Sequence, residues 1–423
     1  PTKMPWIHTA VVRGLKSRQR FFYSAGDNFT AGCSLLPPIA AVAPPFRGEL
    51  PLRSALMADV GSIEVLGFEV WRALDERTPH NLQVDLAVHA GDVSYAGMYT
   101  SIPFLNVSKL DEWEPLWDVY GTAHHNFTRR RAYKIGVGNH EAWYNWTALT
   151  HRYPMRQMNA GAAVKAQARP PFWYTFESGG VHWTMLSSEH DYAEGSPQHA
   201  FAKDALSSVN RTVTPWSVVA FHRPMYCSDT KEYKSSSPGG KLQRNLEGLL
   251  LSGRVDLVVT GHLHGYERIH PNIAGNVTSR PVPVPVQSSS SSSSSTEPAY
   301  IRPNAPVYLV VGHGGAGQIE KWVTPPPPWS AVRLSQGCDF SGGVRVCGSG
   351  PKNGTRTWRY TDTFGFVHAE FANATHARFH TEMVSGEMGD TFWIVRASDQ
   401  AATTRPTTKT STRPKLTFLP HSR

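Results

Sequence analysis

Long apolar runs are missing from this chain. No stretch of its 423 residues approaches the ~20 that a membrane-spanning helix needs. Cysteine is scarce: Cys33, Cys227, Cys338 and Cys347 are the only four, and none forms the Cys-x-x-Cys spacing of a thiolate metal site. Basic residues outnumber acidic ones, for a formal net charge of +9, yet no basic run is interleaved with aromatics. Arg129-Arg130-Arg131 is the one tight cluster, which excludes nucleic acid as the expected partner and leaves a solvated surface mildly attractive to anions. The residues from Pro1 lack the charged-then-apolar pattern of a leader, so any signal peptide is expected to be absent from this sequence or already removed.

Secretory features are present elsewhere. Asn-x-Ser/Thr sequons begin at Asn28, Asn106, Asn126, Asn145, Asn210, Asn276, Asn353 and Asn373, more than half of all the asparagines. They point to a glycoprotein. The even cysteine count fits an oxidising compartment, with Cys338–Cys347 closing a small loop and Cys33–Cys227 as the remaining pair, other pairings staying open.

Two short β-like runs, Ile7–Leu15 and Arg20–Asp27, flank a basic turn and suggest a hairpin. A two-stranded ribbon is not stable alone, so it reads as the end of a β-sandwich. Residues 28–50, rich in Pro and Ala, read as a linker or covering loop. From residue 51 to about 396 apolar strands alternate with helical spacing. Strands are expected at Ser54–Ala58, Leu82–Ala90, Tyr133–Val137, His182–Ser187, Trp216–Ala220, Val255–Thr260 and Val307–Val311. Helices are expected at Asp111–Tyr120, Pro197–Val209 and Gly239–Leu251, and closing antiparallel strands at Gly365–Glu370 and Ala377–Glu382. The pattern is that of a layered α/β domain. The Pro-Val and polyserine stretch 280–298 reads as a flexible insertion, and 397–423 as a disordered Thr/Pro-rich basic tail.

Five of the expected strands end in chemistry. Asp59 follows the first and Gly91-Asp92-Val93-Ser94-Tyr95 the second; Gly138-Asn139-His140-Glu141, His222 and Gly261-His262-Leu263-His264 end three more. Loops at the carboxyl ends of strands build the sites of open α/β sheets. Carboxylate, amide, imidazole and phenol, with no thiolate, suit hard or borderline cations such as iron, manganese and zinc. Seven such ligands suffice for two cations sharing a carboxylate, the arrangement that serves phosphoryl displacement.

This order of motifs resembles the purple acid phosphatases, a branch of the calcineurin-like metallophosphoesterases, over nearly the whole chain. Ser187-Ser188-Glu189-His190-Asp191 and His222-Arg223-Pro224-Met225-Tyr226 resemble the larger eukaryotic members. The resemblance implies a layered α-β-β-α metallophosphoesterase sandwich over residues 51–396, with residues 1–27 as the last hairpin of a truncated fibronectin-III-like β-sandwich domain. It implies Fe(III) held by Asp59, Tyr95 and His264, a bridging Asp92, and a second, divalent metal (Zn, Mn or Fe) on Asn139, His222 and His262. His140 is then the proton donor to the leaving oxygen and a metal-held hydroxide the nucleophile. The family's smaller enzymes carry another substrate-facing His soon after the ligand matching His222. Pro224 to Lys241 contains none, leaving Arg223 and Tyr226 as candidates for that contact.

The implied activity is acid hydrolysis of phosphate monoesters by a secreted or lysosomal/vacuolar protein. Its partners are small phosphorylated substrates, with a homodimer as candidate assembly. A phosphodiesterase or nucleotide pyrophosphatase on the same centre is the alternative; a non-catalytic binding glycoprotein is weaker, since all seven ligand positions are filled. Elsewhere, Gly312-His313-Gly314-Gly315 reads equally as an anion nest or a tight turn. His89 and His182 read as core histidines, Glu141 as an orienter of His140 or a helix cap, and His124-His125 as exposed loop.

Overall fold

The computed structural model describes residues 7–26, 37–62, 65–77, 84–96, 113–158, 160–230, 232, 238–287, 294–317, 321–334, 338–341, 344–347, 364–386 and 388–396. Two large mixed sheets carry the chain. One has eight strands, in the order Val282–Gln287, Ser294–Ile301, Met388–Val395, His376–Met383, Gly365–Phe371, Leu52–Met57, Leu86–His89 and Ala132–Ile135. The other has seven: Ser330–Leu334, Tyr266–Ile269, Val307–Val311, Leu257–Thr260, Trp216–Ala220, Val181–Met185 and Tyr174–Ser178.

Period-two alternation along the strands builds the layers. Leu52, Leu56, Leu86 and Val88 turn to one face and pack against Trp183, Val218, Val259 and Leu309 of the other sheet. Their neighbours Ala55, Met57 and Ala87 turn the opposite way, under Trp71, Leu74, Trp117 and Tyr120 of helices Val65–Arg72 and Trp113–Thr128 and the turn between. On the far side Val219, Val258 and Val310 meet Phe201, Leu246 and Leu250 of helices Pro197–Ser207 and Pro238–Ser252. Each such buried side chain contributes roughly 1.5–3 kcal/mol by leaving water. The result is four layers, α-β-β-α.

Within each sheet the strands that matter for the site are parallel: Leu52–Met57 with Leu86–His89 and Ala132–Ile135, and Val181–Met185 through Trp216–Ala220 and Leu257–Thr260 to Val307–Val311. Their carboxyl ends therefore point one way.

Three expectations are corrected. Arg20–Tyr23 pairs antiparallel with Ile39–Val42, inside the expected linker, and not with residues 7–15. This ribbon lies on the helix Trp113–Thr128 end, with Tyr23 Oη donating to Arg129 O and Val42 N to Arg130 O. The expected flexible insertion contributes a hairpin, Val282–Gln287 with Ser294–Ile301, which joins the larger sheet through Met388–Val395. Its prolines 281, 283 and 285 share one parity, so the ladder is served by Val282, Val284 and Val286, and along residues 281–285 the outer edge offers no N–H donors to a further strand. His124 lies in a helix, buried, between Thr128 and Tyr153.

Cys227 is a buried free thiol, so the Cys33–Cys227 pair does not form. Cys338 stands opposite Cys347 in a short hairpin. Cys33 and the tail 397–423 lie outside the described residues.

Candidate metal centre

The strand ends converge. Tyr95 Oη donates to Asp59 Oδ1 at 2.9 Å and lies 2.8 Å from His264 Nε2, itself 3.6 Å from the same carboxylate oxygen. Beside this trio, ligand atoms of Asp92, His222 and His262 all lie within 4.8 Å of one another. His222 Nε2 is 2.9 Å from Asp92 Oδ2 and 4.0 Å from Asp59 Oδ1, so the two groups adjoin. Asn139 follows the third parallel strand, and its Oδ1 is buried with no hydrogen-bond partner among the described residues. An orphaned amide oxygen is costly unless something positive faces it.

Local backbone conformations make the convergence possible. Asp59, Asp92, Tyr95 and His262 all adopt positive φ, between 52° and 72°, a strained choice for residues with side chains. Two glycines clear the way. A Cβ on Gly138 would stand 2.3 Å from Asp92 Oδ1 and 2.8 Å from His222 Cδ2, and one on Gly261 would stand 2.5 Å from Asp59 Oδ2.

Supporting contacts aim the ligands. His222 Nδ1 meets Ala90 O at 2.9 Å and His264 Nδ1 meets Gly317 O at 2.6 Å, which turns both Nε2 atoms inward. Asp59 Oδ2 accepts from His262 N at 2.8 Å, and Asp92 Oδ1 from His140 N at 2.8 Å. Glu141 caps its own 3-10 turn and does more. Its carboxylate accepts from Gly138 N, Asp92 N and Val93 N at 2.8, 2.9 and 2.7 Å, tying two ligand-bearing loops together.

Charge is concentrated here. Burial pushes the Asp59 carboxyl up to about 6 against the pull of His222 and His264. For Asp92, burial is outweighed by His222 and His140, which hold it well below the usual carboxylate range. His222 is raised to about 10, because Asp92 and Asp59 overcome the effect of burial. Burial and then Asp59 and Asp92 push the Tyr95 phenol well up. His262 is driven well down by burial, His222 and Arg223, which leaves its imidazole neutral and able to donate a lone pair. The set fits multiply charged, hard to borderline cations.

His140 is half-buried, its ring 4.4 Å from that of Tyr95 and its Nε2 3.9 Å from Asp92 Oδ2. Arg223 Nη1 lies 2.9 Å from His262 Nε2. Tyr226, three residues on, is not brought to the cluster: it packs against Tyr308 and Trp329, and its hydroxyl bonds Glu247 and Gln243. His313 is fully buried against Tyr266 and does not reach the cluster of ligand atoms. His89 bonds Tyr133 at 2.7 Å, and His182 lies 3.3 Å from Glu177. Of the sequons, Asn126, Asn145, Asn210, Asn276 and Asn373 are exposed; Asn28, Asn106 and Asn353 lie outside the described residues. Glu189, which holds Arg223, carried no sequence signal beyond its motif.

A family model described as calcineurin-like phosphoesterase matches residues 52–266. One described as iron/zinc purple acid phosphatase-like protein C matches residues 305–391. Purple acid phosphatase 23 of Arabidopsis thaliana is 28% identical, over 74% of this chain and 63% of that protein. Purple acid phosphatase 15 of the same plant is 25% identical, over 93% and 71%. The chain thus spans less than two thirds of the first relative's length. A purple acid phosphatase from yellow lupin (Lupinus luteus) seeds shares the fold, with TM-score 0.68 at 19% identity over 95% of this chain and 64% of that one.

Proposed function

The chain belongs to the calcineurin-like phosphoesterase family, in its purple acid phosphatase branch, and from that premise we propose that it hydrolyses phosphate monoesters at a dinuclear metal centre. The observation that carries the reading is the adjoining of two donor groups at parallel strand ends, with the buried Oδ1 of Asn139, on a third such end, unpartnered among the described residues. Asp59, Tyr95 and His264 would hold Fe(III), Asp92 would bridge, and Asn139, His222 and His262 would hold a divalent ion. Burial among carboxylates keeps the Tyr95 phenol protonated unless a highly charged cation takes the proton's place, which favours iron(III) on that side. When bound, the two cations supply Lewis acidity and readily ionised water.

The chain's own groups do the rest. His140, tilted against Tyr95 and partly open to solvent, gives a proton to the leaving oxygen from Nε2. Arg223 adds a fixed positive charge at the rim beside His262. Glu141 keeps the loops of Asp92 and Asn139 in register. Glycosylation at the exposed sequons Asn126, Asn145, Asn210, Asn276 and Asn373 would accompany passage through the secretory pathway, towards secretion or a lysosome or vacuole.

Elemental analysis and visible spectroscopy of the purified protein, with rates on p-nitrophenyl phosphate and its bis-ester, test the reading. Two metal ions per chain, one of them iron, a visible band lost in Tyr95→Phe, and a faster monoester reaction are expected. Turnover of the bis-ester alone, or a band unchanged in Tyr95→Phe, would overturn it.

A further inference from the structure

Arg223 is held more tightly than a rim cation needs to be. Its Nε donates to both oxygens of Glu189, at 2.9 and 3.1 Å, while Nη1 reaches His262 Nε2. The backbones are sewn to match: Arg223 N donates to Ser188 Oγ at 2.9 Å, and that hydroxyl donates to Glu189 Oε1 at 2.9 Å. The loop bearing Glu189 is itself anchored. Gln198 bonds both N and O of Ser187, and the His190 ring packs 4.5 Å from Phe172 and 4.9 Å from Trp146. Such order is unusual for a side chain that carries four rotatable bonds and remains partly exposed.

The orientation has a direction. With Nε taken by Glu189, Nη2 makes no bond among the described residues, and Nη1 loses His262 Nε2 as an acceptor once that imidazole holds a cation, since neither its ligating nor its protonated nitrogen can then accept. Nη1 and Nη2 form the fork edge of the guanidinium, beside a proposed metal ligand. Planar forks of this kind match two oxygens of a phosphate, and holding one in advance removes the entropy of ordering it on binding.

We propose that Glu189 is a positioning residue that fixes Arg223 as a two-pronged donor to the phosphoryl oxygens of the substrate, beside His262. The proposal rests on the phosphomonoesterase reading and names the contact that gives that site its hold on a phosphate dianion. It differs from a plain surface ion pair, which would contribute little to anything.

The full-length chain, loaded with iron and zinc, is compared with Glu189→Gln, Glu189→Asp and Arg223→Lys. Calorimetric binding of inorganic phosphate, elemental analysis, thermal midpoint, and the split of KM against kcat on p-nitrophenyl phosphate are measured. Glu189→Gln is expected to weaken phosphate binding and raise KM about tenfold, the size of one charge-assisted bond. Its metal content and kcat should stay within about twofold, since the ligands are untouched. Glu189→Asp, which restores the charge, should recover part of the loss. Arg223→Lys should lose as much as Glu189→Gln, because an ammonium has no fork. It also decides the matter alone if Glu189→Gln does not fold. Unchanged phosphate affinity in both variants, or weakening that tracks loss of metal, overturns the proposal. A wild-type protein that binds no phosphate overturns the underlying reading instead.

Discussion

Removing the Glu141 side chain should loosen the candidate centre before any ligand is touched. The carboxylate is 3% exposed and accepts three backbone N–H groups from two loops. Burial and Asp92 raise its carboxyl to about 8, so no charge is counted; each buried donor left without an acceptor costs about 1–3 kcal/mol, and three represent roughly 3–9 kcal/mol at most. In Glu141→Ala the vacated space admits water, which serves some of the orphaned donors and brings the expected loss to about 4 kcal/mol. At ~2.1 cal/mol/K per residue over the catalytic domain, that lowers the thermal midpoint by roughly 5–6 °C. Glu141→Gln should fall between. Its single amide oxygen can take the place of Oε2 and keep Asp92 N and Gly138 N, but its NH2 group then faces Val93 N–H. Calorimetric melts of the metal-free proteins measure the order wild type, Gln, Ala. Elemental analysis should show weaker metal retention in the same order. A drop of less than about 2 °C in Glu141→Ala, against roughly 5–6 °C expected, would refute the clamp.

His262→Ala and His264→Ala should each remove a different metal first, because the two side chains join different donor groups; equal loss of both by elemental analysis would count against that division. Stability should fall in acid. His368 and His380, a stacked pair on the outer face of the larger sheet, are held down to about 3 and about 4, by burial first, then by His380, Arg53 and Arg378 for His368 and by Arg378 for His380, where Glu297 opposes. Folded pKa values below the ordinary 6.5 mean that the unfolded chain binds protons first. Their contribution is therefore complete above pH 6.5 and lost progressively as pH falls from there through 4 towards 3, on the order of 3–5 kcal/mol each. The double variant His368→Leu/His380→Leu should flatten the pH dependence of the thermal midpoint, and an unaltered slope would argue against it. Pro283→Thr with Pro285→Thr restores N–H donors to an exposed edge and should promote association visible by light scattering, without changing metal content.

Much of the layered fold was legible because strands and helices obey short-range periods. Trp216–Ala220 and Val307–Val311 fall where their β-branched runs lie. What escaped were elements whose partners are distant. Tyr266–Ile269 is too polar to read as a buried strand, yet Arg268 is buried because Asp390 and Tyr300 meet its guanidinium. The 280–298 stretch is low in complexity, and only the edge supplied by Met388–Val395 gives it a place to pair. The ribbon at Arg20–Tyr23 chose Ile39–Val42 over its nearer neighbour for the same reason: the Ile39–Val42 strand is docked on the body of the domain.

The candidate site divides in the same way. The sequence by itself determined the inventory: acidic, amide, phenol and imidazole groups, each set one to five residues after an apolar run by a glycine or a tight turn. It could not determine which loop residues turn inward. Arg223 and Tyr226 stand three apart on one irregular segment, and only the tertiary structure sends the first to His262 and the second into the core beside Trp329. Local propensity acts over a few residues, whereas the direction of a loop side chain follows from which distant partner can satisfy it out of water. Glu189 for Arg223, and Glu247 for Tyr226, are those partners.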